Sequence, residues 1–526
     1  MSQKIRSFAR DFERKIRKQS SVDVLSTIWA VNGITSDYVE RASRFFGAKL
    51  EDFVDVRFGS SMWRDFHLET LANEALIHSR TPVRPVLKST VLRRGQFQEL
   101  SHALWRLTEL EDVHDLKDEN VKHLPARMVW LQNACNHGVV SAQYHHRFWY
   151  IYNTPKIDAV FTEIVGLSIE RFCGIGFTLA AKSRENPWFQ IDEIPELGIS
   201  SNDMKLFLRR VSHPLVQLSA LAIVQRKPYE EYAGERQFVP RGYRTSVFRQ
   251  YPIVSLETGQ GLSYCVPFPA LLMRRFCEGI IHDFPQEQRG GVVGNQLGDR
   301  FEHLVLNLMK HGLKEHFNVQ GEYPTSKGKK SPDVIVSDGG GKLKMVCECK
   351  ARRLELLVRK SHDPWSVGKE RGLEKLREGV LQIWRFCQRV RDGKDANLKE
   401  DLHSVFGLVA TMHPWMQADF DKEERLMEEA NRMADSEGVS REARVPVGFI
   451  SVEEMETIVS LPDPLEVMLG LRWRANFTSV ADLARPAWRE KIAQARSPGN
   501  QPFQYPFNDR LNSVMPWFDV EEPDFS

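Results

Sequence analysis

No stretch of this 526-residue chain is apolar enough to cross a membrane. The longest candidate, Val160 to Ala181, is interrupted by Glu163, Glu170 and Arg171, whereas a span needs about 18 consecutive apolar residues. The N-terminus lacks the apolar core of a secretory signal. Cysteine is sparse, seven residues, odd in number and scattered. That excludes a disulfide framework and implies a reducing compartment. Together these absences predict a soluble, cytoplasmic protein with no membrane partner. Net charge is only +2, so the chain is no polycation and any nucleic-acid surface must be local. Internal repeats are missing. Gly339-Gly340-Gly341-Lys342 does not satisfy the G-x-x-x-x-G-K-[ST] spacing of a phosphate loop, and no helix follows it at once.

What is present is enough apolar material, 42%, and ordinary charge, 27%, for two or three folded domains. Residues 1–226 read as a mostly helical region with a recognition or regulatory role. Ile5, Phe8, Phe12 and Ile16 form an apolar stripe between basic residues, which predicts a first helix docked on its own domain. Asp158 to Lys182 reads as one long buried helix, and Met204 to Val224 as two helices split by Pro214. His145-His146 and the scatter of His102, His114, His123 and His137 lack metal-ligand spacing and have no cysteine pair beside them. Residues 227–290 read as a linker with a small hairpin and a helix, and residues 291–462 as an α/β domain. Residues 463–526 form a tail whose aromatics, Trp517 and Phe518 among them, are expected to dock on the body of the protein.

The most informative stretch is Ser331 to Arg352. Val334-Ile335-Val336 starts a β-branched strand led by Asp333, glycines after Asp338 make a turn, and Lys342 to Lys350 return as a second strand. Side chains alternate along a strand. Glu348 and Lys350 therefore share one face, and Cys347 and Cys349 the other. A helix with Phe301, Leu304, Val305, Leu308 and Met309 on one side precedes the hairpin and carries Glu302. A basic helix, Lys369 to Val390, follows it and carries Gln382. A strand, an acidic helix and a last strand complete a mixed sheet.

Pro332-Asp333, Glu348-Cys349-Lys350, the upstream Glu302 and the downstream Gln382 together resemble the PD-(D/E)xK nuclease superfamily, over about Gly294 to Pro462. The RecB-like branch usually carries a tyrosine four residues after the glutamine, where this chain has Phe386. The resemblance implies a restriction-endonuclease-like fold and a metal-dependent nuclease, with DNA favoured over RNA and a setting in bacterial defence or nucleic-acid processing. Asp333, Glu348 and the Cys349 carbonyl would hold Mg²⁺ or Mn²⁺, hard cations that suit oxygen donors. Glu302 would serve a second ion or a bound water. Lys350 would position the water or stabilise developing charge, and Gln382 would orient water or phosphate. Lys327, Lys329, Lys330, Arg352, Arg353 and Lys369 flank the hairpin, where a phosphate backbone would lie. Acid-x-Lys alone carries little weight, since Glu13–Lys15, Asp203–Lys205 and Asp392–Lys394 also match it outside any strand. Three alternatives stay open: a surface hairpin with a salt-bridged Glu–Lys face, a non-catalytic nucleic-acid-binding or scaffold protein on a retained nuclease fold, and a nuclease subunit inactive until a partner or trigger binds, with a protein partner or an oligomer as the company such a subunit would keep.

Overall fold

The computed structural model describes residues 3–34, 39–46, 54–55, 60–61, 65–80, 91–115, 142–232, 240–259, 261–313, 317–325, 330–351, 372–395, 398, 402–413, 420–459, 464–465 and 468. They divide into two compact units between Arg289 and Gly290. Among the described residues no single helix is long and apolar enough to cross a membrane.

The first unit is helical, with a mixed sheet of four short strands. Its first helix, Gln3–Ile16, buries Ile5, Ala9, Phe12 and Ile16, so the apolar stripe docks while the basic residues face outward. Helix Ser21–Ile34 has almost no polar face and is buried along nearly its whole length, and Trp29 donates its indole N–H to the Ser183 carbonyl at 2.7 Å. Charge is also buried here. Arg241 pairs with Glu74 at 2.7 Å and Glu111 at 3.0 Å. Although burial works against it, the Arg241 guanidinium holds the Glu74 carboxyl far below the usual carboxylate range.

Two expectations for this unit change. Asp158 to Lys182 is not one helix but two, Pro155–Val165 and Ile169–Ser183, bent by 66°. Gly166 closes the first in the left-handed region at φ 83°, and the Ser168 hydroxyl accepts from the Arg171 N–H to start the second. The residues around the hairpin Ile253–Thr258 and Gly261–Cys265 do more than link. That hairpin pairs with Trp188–Phe189 on one side and Ser212–Pro214 on the other, in a single sheet. Met204 to Val224 does divide at Pro214, into Ser201–Val211 and Leu215–Tyr232.

The second unit runs α1 (Val292–Leu313), β1 (Asn318–Gly321), β2 (Val334–Ser337), β3 (Leu343–Lys350), α2 (Leu373–Arg391), β4 (Phe406–Thr411), α3 (Phe420–Ser436), β5 (Val447–Ser451) and α4 (Val452–Ile458). Its sheet has the order β5-β4-β3-β2-β1. The first three strands are antiparallel neighbours, whereas β4 runs parallel to both β3 and β5. The β2–β3 turn is held by Asp338, whose Oδ1 accepts from the N–H groups of Gly340 and Lys342 at 3.0 and 2.9 Å, while Gly341 takes φ 78°. β4 is buried at every position, as expected of a strand covered on both faces. α1 buries the five apolar residues expected of it. The apolar faces of α2 and α3 close over Ile335, Val346, Val409 and Val447.

Three arginines of the basic helix α2 are paired from within the unit. Arg377 pairs with Glu429 at 3.1 Å, Arg385 makes a two-pronged contact with Glu437 at 2.6 Å, and Arg391 reaches Glu442 at 2.9 Å. The acidic helix α3 and the turn after it thus take up three of the cations of α2.

All members of the core beneath α2 and α3 lie beyond Gly290. A fragment of residues 290–526 is therefore expected to melt cooperatively when followed by circular dichroism. Absence of a cooperative transition, with the full chain folding normally, would show that the second unit depends on the first.

Candidate active site

The register of the β2–β3 hairpin places the site. Ile335 pairs with Val346, and both side chains enter the core under α2. Asp333 lies two residues before Ile335, and Glu348 and Lys350 lie two and four residues after Val346. Strand alternation therefore puts all three on the α2 face. Cys347 and Cys349 turn to the opposite face and are buried.

Hydrogen bonds fix this group. Asp333 Oδ2 accepts from the Cys349 backbone N–H at 2.6 Å. The Lys350 ammonium donates to Glu348 Oε2 at 2.9 Å and to Gln382 Oε1 on α2 at 2.8 Å. Glu348 is 4% exposed, too little for water to solvate a carboxylate freely. Burial, followed by the Asp333 charge, pushes its pKa up to about 8 even though Lys350 pulls the other way. Glu302, on α1, is raised to about 7 by burial and then by Asp333. Asp333 is also raised, chiefly by burial, with the Cys349 N–H opposing. Burial disfavours the Lys350 ammonium, but Glu348 and then Asp333 more than offset this and raise its pKa. Asp333, Glu348, Glu302 and Lys350 form one electrostatic unit, to which Lys330 is also coupled through Glu302 and Asp333.

Glu322, just after β1, is a residue that the sequence reading missed. Its charge raises both Glu302 and Asp333, and its carboxylate accepts from Lys330 at 2.7 Å. No motif marks it, because only the pairing of β1 with β2 brings it to this end of the sheet. Lys330, expected to face nucleic acid, has a 72% exposed side chain despite that ion pair, and such an exposed pair exchanges readily. Lys327, Lys329, Arg352, Arg353 and Lys369 lie outside the described residues, as do the tail aromatics Trp517 and Phe518. Gln382 does not stand ready with both ends to orient water, because its carbonyl oxygen is engaged by Lys350. Phe386 is buried in the core with the Arg389 guanidinium 5.3 Å from its ring centre. Trp384 is likewise a core residue, its indole N–H donating to the Val445 carbonyl at 2.8 Å. In the first unit His145 and His146 are buried, and His145 Nδ1 lies 2.9 Å from Cys277 Sγ. Burial lowers both imidazoles, that of His146 to about 4, so they are neutral packing groups at neutral pH.

Among the described residues no group of three or more His, Cys, Asp or Glu side chains is arranged to hold a metal ion. The hairpin offers something more open: the Asp333 and Glu348 carboxylates and the Cys349 carbonyl, with Glu302 nearby. This all-oxygen set fits a hard cation that keeps several of its own waters, not a closed cage. The raised carboxyls are consistent with that fit, since a divalent charge would relieve the repulsion that now favours protonation. Comparison of the chain with known protein families, curated proteins and solved structures gives no match.

The elevated Glu348 pKa fixes the sign of a stability effect. The folded state holds this proton more tightly than the unfolded chain, so the contribution is fully present below the ordinary value of 4.5 and is lost as pH rises through about 8. Glu348→Gln should therefore gain stability relative to wild type between those pH values and level off above them. Denaturant unfolding in EDTA at pH 5 and pH 9 measures the gap, and an equal gap at both would show that Glu348 is not buried beside like charge.

Proposed function

We propose that the second unit is a restriction-endonuclease-like domain and that the chain is a metal-dependent nuclease hydrolysing phosphodiester bonds, with DNA the favoured substrate. One observation carries the reading: a lysine only 15% exposed, held between a buried strand glutamate and a helix glutamine, with the aspartate that leads the neighbouring strand hydrogen-bonded one peptide away. The mixed sheet also supports it, with an antiparallel hairpin followed by a parallel strand across α2. A solvated Glu–Lys surface pair would not be buried, nor would it engage a third group from another element.

Asp333, Glu348 and the Cys349 carbonyl would hold Mg²⁺ or Mn²⁺, which when bound supplies a Lewis acid and a water of lowered pKa. The chain's own residues do the positioning. Glu348 and Gln382 fix the Lys350 ammonium, so its charge is set in place before negative charge grows on the phosphate. Its raised pKa keeps Lys350 protonated, which suits charge stabilisation and not proton abstraction. The Cys349 N–H orients the Asp333 carboxylate toward the other oxygens. Burial of the α2 face limits competing water.

Lys350→Ala should lower cleavage about 10²- to 10³-fold while leaving nucleic-acid affinity within a few-fold, because affinity comes from many phosphate contacts. Cleavage should require Mg²⁺ or Mn²⁺, and Ca²⁺ should support binding without cutting. Robust cleavage in EDTA, or a Lys350→Ala protein that cuts at the wild-type rate, would sink the assignment. Gln382→Ala frees one side of Lys350 and should lower kcat with KM little changed. An unaltered kcat would reduce Gln382 to a packing residue.

A further inference from the structure

Gly379 stands seven residues into α2, buried, in a helix interior where glycine is disfavoured relative to alanine. Its φ is not left-handed, so no backbone requirement explains it. Space does. A Cβ at this position would lie 3.1 Å from Lys350 Cε and 3.4 Å from the two Val409 methyl carbons. The lysine stem thus crosses the helix where the helix has no side chain, and its ammonium reaches Gln382, one turn further along the same face.

We infer that Gly379 is a positioning residue for Lys350: its bare Cα opens the passage through which the lysine stem reaches Glu348 and Gln382. The inference rests on the proposed nuclease reading for its catalytic consequence, though not for its geometry. A methyl group at 379 meets strand β4 at ordinary contact distance but meets Lys350 too closely. The flexible lysine must therefore move while the helix and sheet stay. Displacement of a charge-stabilising group by a few tenths of an ångström to one ångström lowers rate without touching the substrate.

The test is Gly379→Ala, compared with wild type and with Gly174→Ala. Gly174 is an interior helix glycine of the first unit whose added Cβ would meet nothing within 4 Å. The first readout is brief acylation of the native protein followed by peptide mass spectrometry, which reports how well Lys350 is held whether or not the protein cuts nucleic acid. The second is Mg²⁺-dependent cleavage, with thermal melting recorded alongside. Gly379→Ala is expected to melt at or above the wild-type temperature, because alanine favours the helix. Lys350 should become several-fold more reactive, and kcat should fall about ten- to a hundred-fold. Gly174→Ala should change neither reactivity nor kcat. A folded Gly379→Ala protein with wild-type Lys350 reactivity overturns the inference. If wild type cuts no nucleic acid with Mg²⁺ or Mn²⁺ while Lys350 reactivity still rises in the variant, the nuclease reading falls and the positioning role stands. Should Gly379→Ala lose its cooperative melt, Gly379→Ala/Val409→Ala removes the second contact. Wild-type reactivity in that folded double variant overturns the inference equally.

Discussion

The second unit depends on keeping one ammonium group charged inside a largely apolar fold. Lys350 ends β3 with its side chain turned under α2, where an unpaired charge would be prohibitively costly. Two acceptors make it tolerable, Glu348 from its own strand and Gln382 from the helix. That pairing ties the registration of α2 to the end of β3. A shift of α2 by one residue would turn Gln382 away from the lysine and bring a side chain into the path that Gly379 leaves open. Around this point the carboxyls of Asp333, Glu302 and Glu348 crowd together, so the site holds protons that solvated carboxylates would release.

The surroundings follow from the same economy of charge. α2 is rich in arginine, yet Arg377, Arg385 and Arg391 are drawn into ion pairs with α3 and the turn beyond it. These exposed or half-exposed pairs add little stability individually. They do orient α3 across α2, with the Leu426, Ala430 and Ala434 stripe facing the core. On the proposed reading, Arg377, Arg385 and Arg391 are engaged with acidic partners, whereas the exposed Lys330 side chain lies at the hairpin end of the site.

The hairpin was legible in the sequence because its signals are local. β-branched residues flank a glycine turn, and alternation alone assigns Glu348 and Lys350 to one face. The amphipathic helices were legible for the same reason, as Phe301 and Leu304 show. What stayed hidden needed three dimensions. Gly166 looks like any small residue in a buried run, and only its left-handed backbone breaks the helix. Trp188–Phe189 is too short to announce itself as a strand, so the four-stranded sheet could not be assembled from pattern. Glu322 carries no motif and reaches the site only through strand pairing. Gly379 was readable in principle, since a glycine in a strong helix pattern asks for a packing reason, but its neighbour Lys350 lies far away in sequence.

The protons held by the site and the cation proposed for it compete for the same oxygens. Glu348 and Glu302 sit near pKa values of about 8 and 7 without a metal, so binding of a divalent ion at neutral pH must displace protons and weaken as the solution becomes more acidic. Lys350 takes no part in that exchange, because removing its proton would leave the carboxylates unopposed. Calorimetry of Mg²⁺ binding in two buffers of different ionisation enthalpy should therefore report net proton release near pH 7, with Glu348→Gln releasing fewer protons and binding more weakly. Proton-neutral binding would mean that Glu348 and Glu302 are already ionised, and that water reaches the site more freely than the packing of α2 over β3 allows.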